Sequence, residues 1–360
     1  MVTDFSFREI VTPLLVWFDE NKRALPWRED RDAYHIWISE IMLQQTRVQA
    51  VIGYYERFME RLPNIKSLAE CPEDELMKLW EGLGYYNRAR NLQAAAKTVV
   101  ETCDGKMPTT MVELLKLKGI GDYTARAIAS QAFEEPVVAV DGNVLRVVTR
   151  LSNDDTDIMK QSFRRTVEQR LDAVVPTGRA GDFCQALMEL GAIVCVPNAA
   201  PQCEQCPLIA YCRAKENDCC MQLPAKRVAK KRRIEERTVF ILRTEDAVVL
   251  HKRPDSGLLA GLYEFPNALG YMSEKESLNA VCAMGFLPLR IRKMEGAKHI
   301  FSHVEWHMQG YEVWLDTTAK FPEGTVVANV WQMEEVYSIP AAFEGFKKQI
   351  HVVSNTAKKP

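Results

Sequence analysis

The stretch LLKLKGIGDYTARAIAS, residues 114–130, decides the fold of the first part of this chain. It places Gly119 and Gly121 between two apolar segments with helical spacing. Because glycine tolerates the tight backbone turn that joins neighbouring helices, the stretch predicts a helix, a hairpin formed with both glycines, and a second helix. The amides and the dipole at the start of the second helix favour a bound phosphate. An ordinary glycine-containing turn is the alternative interpretation.

Apolar residues at helical spacing extend from this hairpin over the first two-thirds of the chain, from Phe7 to about residue 194. This periodicity predicts an almost entirely α-helical domain, which we place over residues 1–220. The composition then changes. The basic segment KRVAKKRR, Lys226–Arg233, lacks an apolar face and predicts an interdomain linker over residues 221–236.

Short runs of β-type residues, among them TVFIL and WHMQGYEVWL, follow the linker and are separated by Gly, Pro and Asp. They predict an α/β or mostly β domain over residues 237–352 and a flexible tail over 353–360. A chain of 360 residues is long enough to bury more than one hydrophobic core. The sequence therefore predicts a multidomain protein.

Composition restricts the location and the partners of the protein. The first residues, MVTDFSFREI, contain acidic side chains and no continuous apolar core. The chain also lacks a run of about 18 uncharged apolar residues, so we expect a cytoplasmic protein that does not cross a membrane. The net charge of −2 means that any DNA contact must use a local basic patch.

Four of the ten cysteines lie within eighteen residues of one another: Cys195, Cys203, Cys206 and Cys212. In a chain without an export signal, clustered thiols indicate metal ligands rather than disulfides. A zinc site usually combines two close pairs, whereas only Cys203 and Cys206 form a close pair here. The spacing therefore predicts a metal site and argues against the usual zinc pattern.

A candidate catalytic aspartate, Asp141, follows Gly121 at a distance of twenty residues. In VVAVDGNVLRVVTR it lies between an apolar run and a helical segment, where an isolated aspartate more often caps the helix. The combination of hairpin and aspartate is far more specific than either part. With it, the chain resembles the endonuclease III superfamily of base-excision DNA glycosylases, and the MutY branch in particular, over nearly its whole length.

The resemblance implies that the helix SEIMLQQTRV, Ser39–Val48, carries a catalytic glutamate, Glu40. Ile36 and Leu43 share a helical face with Glu40, and a carboxyl in partly apolar surroundings should have a raised pKa, which suits a proton donor. By resemblance, Glu40 is the general acid that protonates adenine at N7. After losing its proton it can activate the attacking water.

The same resemblance assigns Asp141 to the sugar, where an ionised carboxylate stabilises the developing oxocarbenium ion. Tyr123 and Asn143 match the family residues that assist there and position the reacting groups. Bifunctional relatives have, at the position of Tyr123, a lysine that forms a Schiff base and cleaves the strand, which a phenol cannot do. We therefore predict base removal without strand cleavage, since Lys118 precedes the turn and faces phosphate or solvent.

Other positions match DNA-contacting residues of the family. In LWEGLGYYNRARNL, Leu83 and Tyr85 resemble the wedge that enters the base stack when a base flips out, while Tyr86 could belong to the core. Trp27 and Arg28 resemble the lining of the adenine pocket, although Trp27 could equally be a core residue.

The second domain resembles the MutT-like recognition domain of that family, which is related to Nudix hydrolases. The REUxEE glutamates that hold metal in such hydrolases are absent, so we do not expect nucleotide hydrolysis. Phe301, Ser302 and His303 match the loop that inspects 8-oxoguanine, and Ser302 could hydrogen-bond the base near N7 and O8. Gln45 and Thr46 match contacts on the same side of the base pair. A β-strand with incidental histidines is the alternative for the loop.

The cysteine spacing is similar to the iron–sulfur loop of the family and implies a [4Fe-4S] cluster with a structural and DNA-docking role. Seven residues separate Cys195 from Cys203, where the family has six. Either a surface bulge absorbs the extra residue at little cost, or Cys219 or Cys220 replaces a ligand. The other cysteines are expected to be buried small side chains: Cys71, Cys103, Cys184 and Cys282.

The sequence thus predicts an all-α helix-hairpin-helix glycosylase domain with an iron–sulfur subdomain, followed by an α/β MutT-like domain. The expected activity is hydrolysis of the N-glycosidic bond of adenine opposite 8-oxoguanine or G in double-stranded DNA, by a cytoplasmic, nucleoid-associated monomer. Two alternatives stay open: a related mismatch or damaged-pyrimidine glycosylase, and a non-catalytic iron–sulfur protein that only binds lesions.

Overall fold

The computed structural model describes residues 1–225, 232–318 and 320–354, with side chains described to residue 350. Residues 226–231, which form most of the basic segment within the predicted linker, and residues 355–360, which form most of the predicted tail, lie outside the described residues.

The chain divides into two compact units, each of which combines two stretches of sequence. The helical unit comprises Met1–Glu70 and Asn91–Val228. The sheet unit comprises Cys71–Arg90 and Ala229–Pro360.

Helices and turns dominate the chain before residue 226, which confirms the predicted all-α class of this part. The α-helices are α1 (Val11–Asn21), α2 (Ala33–Leu43), α3 (Val48–Arg61), α4 (Ile65–Glu70), α5 (Glu73–Leu79), α6 (Asn87–Thr102), α7 (Met111–Leu114), α8 (Asp122–Phe133), α9 (Gly142–Ser152), α10 (Gln161–Asp172), α11 (Ala180–Ile193) and α12 (Arg213–Glu216). Among the described residues, every helix is too short or too polar to span a bilayer.

The core of the helical unit forms where α1, α9 and α11 meet. Val144 and Val148 of α9 are completely buried, as are Phe183 and Leu187 of α11. Each large apolar side chain removed from water contributes about 1.5–3 kcal/mol. This packing fixes α9 against α11, which also packs against α8, and these helices carry several residues of the candidate site.

Two glycines allow α11 to approach its neighbours closely. A Cβ at Gly181 would lie 2.8 Å from the Cα of Gln131 in α8. A Cβ at Gly191 would lie 2.7 Å from the Cβ and 3.0 Å from the carbonyl oxygen of Asn143 in α9. These distances are too short for a real side chain, so the close packing of α11 depends on glycine at both positions.

The sheet unit is an α/β structure, as predicted for the second domain. Its strands are β1 (Arg233–Arg243), β2 (Ala247–Lys252), β3 (Tyr263–Glu264), β4 (Asn267–Leu269), β5 (Pro288–Ile300), β6 (Val304–Leu315) and β7 (Val326–Asn329). Its later helices are α13 (Glu274–Ala283), α14 (Val330–Glu335) and α15 (Glu344–Ser354). The strand order is β3-β2-β1-β6-β5, with β4 paired to β1 and β7 paired to β2.

Both faces of this sheet are covered, because alternate residues of a strand point to opposite sides. Val239 and Ile241 of β1 enter a core that also contains Phe346 of α15. Phe240, between them, enters a second core that contains Val281 of α13. The long antiparallel hairpin of β5 and β6 extends from this sheet, and residues 301–303 form its tip.

The segment 71–90 belongs to the sheet unit, whereas the sequence predicts a continuous helical first domain. Polar contacts explain the difference. Asp74 accepts a hydrogen bond of 3.2 Å from Nζ of Lys252, and Nη2 of Arg90 donates one of 2.7 Å to the carbonyl oxygen of Ala260. Polar contacts between residues distant in sequence do not affect the hydrophobic periodicity, so the sequence pattern could not predict them.

We expect Gly191→Ala to lower the free energy of unfolding by about 1–3 kcal/mol, because the added methyl group overpacks against Asn143. Gly53→Ala in α3 is the matched control, since its Cβ would meet only the end of the Arg57 side chain at 3.4 Å. That control should stabilise the protein by about 0.5–1 kcal/mol. Urea unfolding measures both changes, and a Gly191→Ala protein as stable as the wild type would contradict the packing argument.

Candidate active site

The hairpin lies between α7 and α8, but its two glycines have different roles. Gly119 has φ +80°, and a Cβ there would lie 2.6 Å from the Cβ of Asn91, so this position requires glycine. Gly121 is the N-cap of α8 with φ −92°, which other residues adopt easily. The prediction that the turn needs both glycines is therefore correct only for Gly119. A Cβ at Gly121 would meet no described atom within 4 Å, which leaves the start of α8 open to a phosphate.

Glu40 is a buried carboxyl held between two side chains of α8. It is 7% exposed, and its Oε2 accepts a hydrogen bond of 2.8 Å from the hydroxyl of Tyr123. Its Oε1 accepts one of 3.1 Å from Nε2 of Gln131. Burial raises the pKa of Glu40, although these two hydrogen bonds oppose the shift, and the nearby Asp141 raises it further. The raised pKa agrees with the expectation for a proton donor.

The helix that carries Glu40 is shorter than predicted. α2 ends at Leu43, whereas the sequence predicts a helix over Ser39–Val48. The backbone of Gln45 has φ +61°, and this left-handed conformation is incompatible with a continuing helix. The resulting loop, which includes Thr46, turns toward the same cavity as Glu40.

Asp141 is the N-cap of α9, so the common structural role of such an aspartate is present here. Its Oδ1 accepts hydrogen bonds of 2.8 Å from the amides of Asn143 and Val144, and its Oδ2 accepts one of 2.7 Å from Nδ2 of Asn143. Burial raises the pKa of Asp141, while these donors at the helix N-terminus favour its charged form. Capping and catalysis are compatible, because the carboxyl also lines the cavity that contains Glu40.

Arg146 holds Asn143 in place. Its Nη2 donates hydrogen bonds to Oδ1 of Asn143 at 2.7 Å and to the carbonyl oxygen of Gly191 at 2.6 Å. Its Nε donates one of 2.7 Å to the carbonyl oxygen of Cys195. One guanidinium thus connects the residue that orients Asp141 with the first cysteine of the cluster.

A single cavity of the helical unit is lined by eight of the predicted site residues of the first domain. The predicted residues that line it are Trp27, Arg28, Glu40, Gln45, Thr46, Tyr123, Asp141 and Asn143. Trp27 is buried and packs edge-on against Tyr55, so it serves the core and the cavity together. These eight residues line one cavity, although the first and the last of them are more than 100 residues apart in sequence.

Glu189 is a cavity residue that the sequence analysis missed. It is 1% exposed and accepts hydrogen bonds from Nε of Arg23 at 2.6 Å and from Nη2 of Arg28 at 2.9 Å. Although burial opposes it, these hydrogen bonds lower the pKa of Glu189 to about 2. The wall of the cavity therefore carries a fixed anion that holds Arg28 in position.

Gln131 was also missed, but the sequence contains a signal for it. It lies eight residues after Tyr123 in α8, so both side chains occupy the same face of the helix. Glu189 offers no such signal, since its partners Arg23 and Arg28 come from a distant segment.

The four clustered cysteines line a second cavity of the helical unit, together with Arg150. Arg150 is almost completely buried, and its Nη1 lies 3.2 Å from Sγ of Cys195. A buried cation aimed at a sulfur matches a thiolate ligand. Among the described residues, no three His, Cys, Asp or Glu side chains are arranged to hold a single ion.

The remaining cysteines differ from the prediction that all are buried small side chains. Cys71 and Cys184 are buried, but Cys103 is half-buried and Cys282 is exposed. Cys282 lies in α13, and the buried side of that helix is formed by other residues such as Val281. The prediction for Cys282 is therefore wrong.

The tip of the β5–β6 hairpin and the predicted wedge loop both belong to the sheet unit. Phe301 packs edge-on against Trp306, while Ser302 and His303 are exposed. Tyr85 is 48% exposed, has φ +48°, and its hydroxyl lies within hydrogen-bonding distance of Oγ of Ser302.

The two tyrosines and the leucine of the wedge loop differ in their exposure. Leu83 and Tyr86 are buried, so Tyr85 is the side chain of this group that the fold leaves accessible. The DNA-contacting roles of Leu83 and Tyr85 stay predictions.

Two protein families match separate parts of the chain. Residues 38–173 match the HhH-GPD superfamily of base excision DNA repair proteins, and residues 238–349 match the NUDIX domain. The adenine DNA glycosylase of Mus musculus is 38% identical over 84% of this chain and 70% of its own length. The chain belongs to the adenine DNA glycosylase family.

Other relatives agree with this family assignment. The adenine DNA glycosylase of Homo sapiens is 35% identical over 94% of this chain and 73% of its own length. That of Buchnera aphidicola is 32% identical over 84% of each chain. The fold agrees as well, since a thermostable thymine-DNA glycosylase superposes with a TM-score of 0.53 and 29% identity over 58% of this chain and 97% of its own.

An endonuclease III in a non-covalent complex with DNA is similar as well. It superposes with a TM-score of 0.50 and 26% identity, over 59% of this chain and 95% of its own. As a member of the adenine DNA glycosylase family, the protein is a DNA-binding enzyme of base excision repair.

We expect Glu40→Gln to abolish base release while DNA binding persists, because an amide keeps the shape of the carboxyl but cannot donate the required proton. The loss of a general acid costs about 10²- to 10⁴-fold in rate. Single-turnover base release and fluorescence anisotropy with labelled duplex measure the two properties separately. Preserved release would remove Glu40 from the role of acid.

We expect Tyr123→Phe to move the alkaline limb of the pH–rate profile to higher pH, by on the order of one unit. The hydroxyl of Tyr123 stabilises the ionised form of Glu40 and lowers its pKa, so its removal keeps the carboxyl protonated to higher pH. Tyr311→Phe, which removes a buried hydroxyl that donates to the carbonyl oxygen of Met272, is the control and should leave the limb in place. A limb that moves to lower pH would contradict the arrangement.

Proposed function

We propose that the protein hydrolyses the N-glycosidic bond of adenine mispaired with 8-oxoguanine, or with G, in double-stranded DNA, and that it leaves the strand intact. The observation that carries this proposal is the shared cavity of Glu40, Tyr123 and Asp141. We infer adenine as the released base from the names of the relatives, and the type of reaction from the chemistry of these side chains.

Glu40 is suited to protonate the leaving base. Adenine leaves poorly as an anion, so a proton on a ring nitrogen must compensate the electron pair that it takes from the glycosidic bond. Burial keeps Glu40 protonated closer to neutral pH than an exposed glutamate. Trp27 offers an aromatic face in the same cavity, on which a flipped purine can stack.

Asp141 is suited to stabilise the sugar that remains. As the bond breaks, positive charge develops on the sugar as in an oxocarbenium ion, and a carboxylate held by helix N-terminal donors compensates it. Water then adds at the anomeric carbon and gives its proton back to the Glu40 carboxylate. The products are free adenine and an abasic sugar, and the acid is ready for another turnover.

Because Tyr123 has no amine, the reaction ends with base removal and the strand is not cleaved. Cleavage of the strand by a glycosylase requires an amine that attacks the sugar and forms a Schiff base. The residue at the corresponding turn of the hairpin is a tyrosine whose hydroxyl donates to Glu40. Burial raises the pKa of this phenol well above its ordinary value, so it stays neutral and acts by positioning Glu40.

Ser302 and Tyr85 are suited to inspect the opposing base. A hydroxyl both donates and accepts hydrogen bonds, so Ser302 can distinguish 8-oxoguanine, which carries a proton at N7 and an oxygen at C8, from guanine. The exposed ring of Tyr85 can enter the stack beside that base. Gln45 and Thr46 offer further polar groups in the lining of the catalytic cavity.

We propose that the cysteines hold a [4Fe-4S] cluster. The ligands would be Cys195, Cys203, Cys206 and Cys212, which surround one cavity beside the buried guanidinium of Arg150. Burial raises the pKa of Cys206 to about 12, so binding must release this proton. When bound, the cluster would cross-link the loop after α11 into one shape and support the docking of DNA.

Location and assembly complete the proposal. We propose a monomer that acts in the cytoplasm on DNA, since each residue of the catalytic cavity comes from one helical unit. Analytical ultracentrifugation with and without duplex would reveal a dimer if the site needed a second copy.

The decisive experiment is single-turnover base release from duplexes that carry A opposite 8-oxoguanine, G, C or T, with strand analysis with and without alkali. We expect fast release opposite 8-oxoguanine and G, and breaks only after alkali. Breaks without alkali would overturn the monofunctional mechanism. Release of thymine opposite G instead of adenine would favour the mismatch-pyrimidine alternative.

We expect Ser302→Ala to slow release opposite 8-oxoguanine much more than opposite G, by about 10-fold, which is the effect of one lost hydrogen bond of about 1.4 kcal/mol. Ser273→Ala, which removes another hydroxyl of the sheet unit from the cap of α13, should change both rates equally or not at all. Equal slowing of both substrates by Ser302→Ala would contradict the recognition role.

A further inference from the structure

Five thiols, one more than a four-ligand cluster needs, line the cysteine cavity. The fifth is Cys220, which lies among the same lining residues as the four predicted ligands. Burial raises the pKa of Cys220 to about 12, and the nearby thiols of Cys212 and Cys203 raise it further. The cavity therefore contains one thiol more than the predicted ligand set, close to two of its members.

The position of Cys220 is held by the guanidinium that also contacts Cys195. Nε of Arg150 donates a hydrogen bond of 2.9 Å to the carbonyl oxygen of Cys220 and one of 3.2 Å to that of Leu223. Nη1 of the same side chain contacts Sγ of Cys195. One buried arginine thus fixes the backbone at Cys220 and the first ligand, although the two lie far apart in the loop region.

Cys219, the adjacent residue, is directed elsewhere. Its Sγ donates a hydrogen bond of 2.9 Å to Oδ1 of Asn153 and lies 3.6 Å from the carbonyl oxygen of Ala214. Among the described residues that line the cysteine cavity, Cys220 is present and Cys219 is not. Two neighbouring thiols with the same chemistry therefore differ in access to the site, which provides a matched pair for experiment.

Of the two predicted ligands close to Cys220, Cys203 is anchored less firmly than Cys212. It begins a short 3₁₀ turn, Cys203–Gln205, whose residues are all at least partly exposed. Cys212, in contrast, precedes α12, and its Sγ lies 3.6 Å from the carbonyl oxygen of Arg150 in α9. If one of these two ligands leaves the site, Cys203 has the less support.

We propose that Cys220 is a reserve ligand, which takes over the coordination position of Cys203 when that thiol is lost or released. The exchange is redox-neutral. The bond between iron and the sulfur of Cys203 breaks and this sulfur takes up a proton, while the thiol of Cys220 loses a proton and binds the same iron. The inference rests on the proposed iron–sulfur cluster and concerns the identity of its ligands.

The test compares iron and acid-labile sulfide in full-length proteins purified without oxygen. Alanine replaces cysteine, because a serine could itself bind iron. We expect Cys203→Ala to retain most of the wild-type iron, and Cys206→Ala to lose it. The double change Cys203→Ala with Cys220→Ala should lose the iron as well, whereas Cys203→Ala with Cys219→Ala should retain it.

Alkylation followed by peptide mass analysis identifies the ligand directly, even where a variant is unstable. In the wild-type protein Cys220 should react with iodoacetamide, although slowly because burial raises its pKa, and in Cys203→Ala it should become protected, while Cys219 reacts in both. An equal loss of iron in Cys203→Ala and Cys206→Ala, or a reactive Cys220 in an iron-containing Cys203→Ala protein, would overturn the proposal. A wild-type protein without iron would instead refute the cluster itself, so the two failures are distinguishable.

Discussion

The need to satisfy a buried carboxyl organises the catalytic part of this protein. A carboxyl removed from water destabilises the fold unless hydrogen bonds compensate it, and Glu40 obtains both of its donors from α8. This requirement fixes α2 against α8 and at the same time sets the pKa of the acid. The helix-hairpin-helix therefore does more than offer amides to a phosphate, since its second helix also carries the residues that tune Glu40.

The second carboxyl is fixed by a different device. Asp141 caps α9, and Asn143 is locked to it by Arg146, which also holds the backbone of Gly191 and Cys195. These contacts require glycine at position 191 of α11, because a larger residue there would clash with Asn143. One arginine thus connects the backbone of the cysteine region with a residue that lines the catalytic cavity.

Much of the fold and of the site could be predicted from the sequence. The periodicity identified the helical first part, and the β-type runs identified the α/β second part. The pairing of the hairpin with Asp141 identified the family, which in turn indicated eight residues that line one cavity. The errors have physical causes: a left-handed Gln45 ends α2 early, Cys282 lies on the exposed side of its helix, and polar contacts draw the segment 71–90 into the sheet unit.

The sequence by itself determined the kinds of residue available for chemistry and their order: two carboxylates, a tyrosine where a lysine would cleave the strand, and a cluster of thiols. Only the tertiary structure decided which groups meet. Glu189 became a fixed anion because Arg23 and Arg28 fold against it, and Cys220 became the fifth thiol of the cysteine cavity because Arg150 holds its carbonyl oxygen there. Local patterns reflect periodicity and spacing along the chain, whereas hydrogen bonds between distant segments depend on packing that only the folded chain creates.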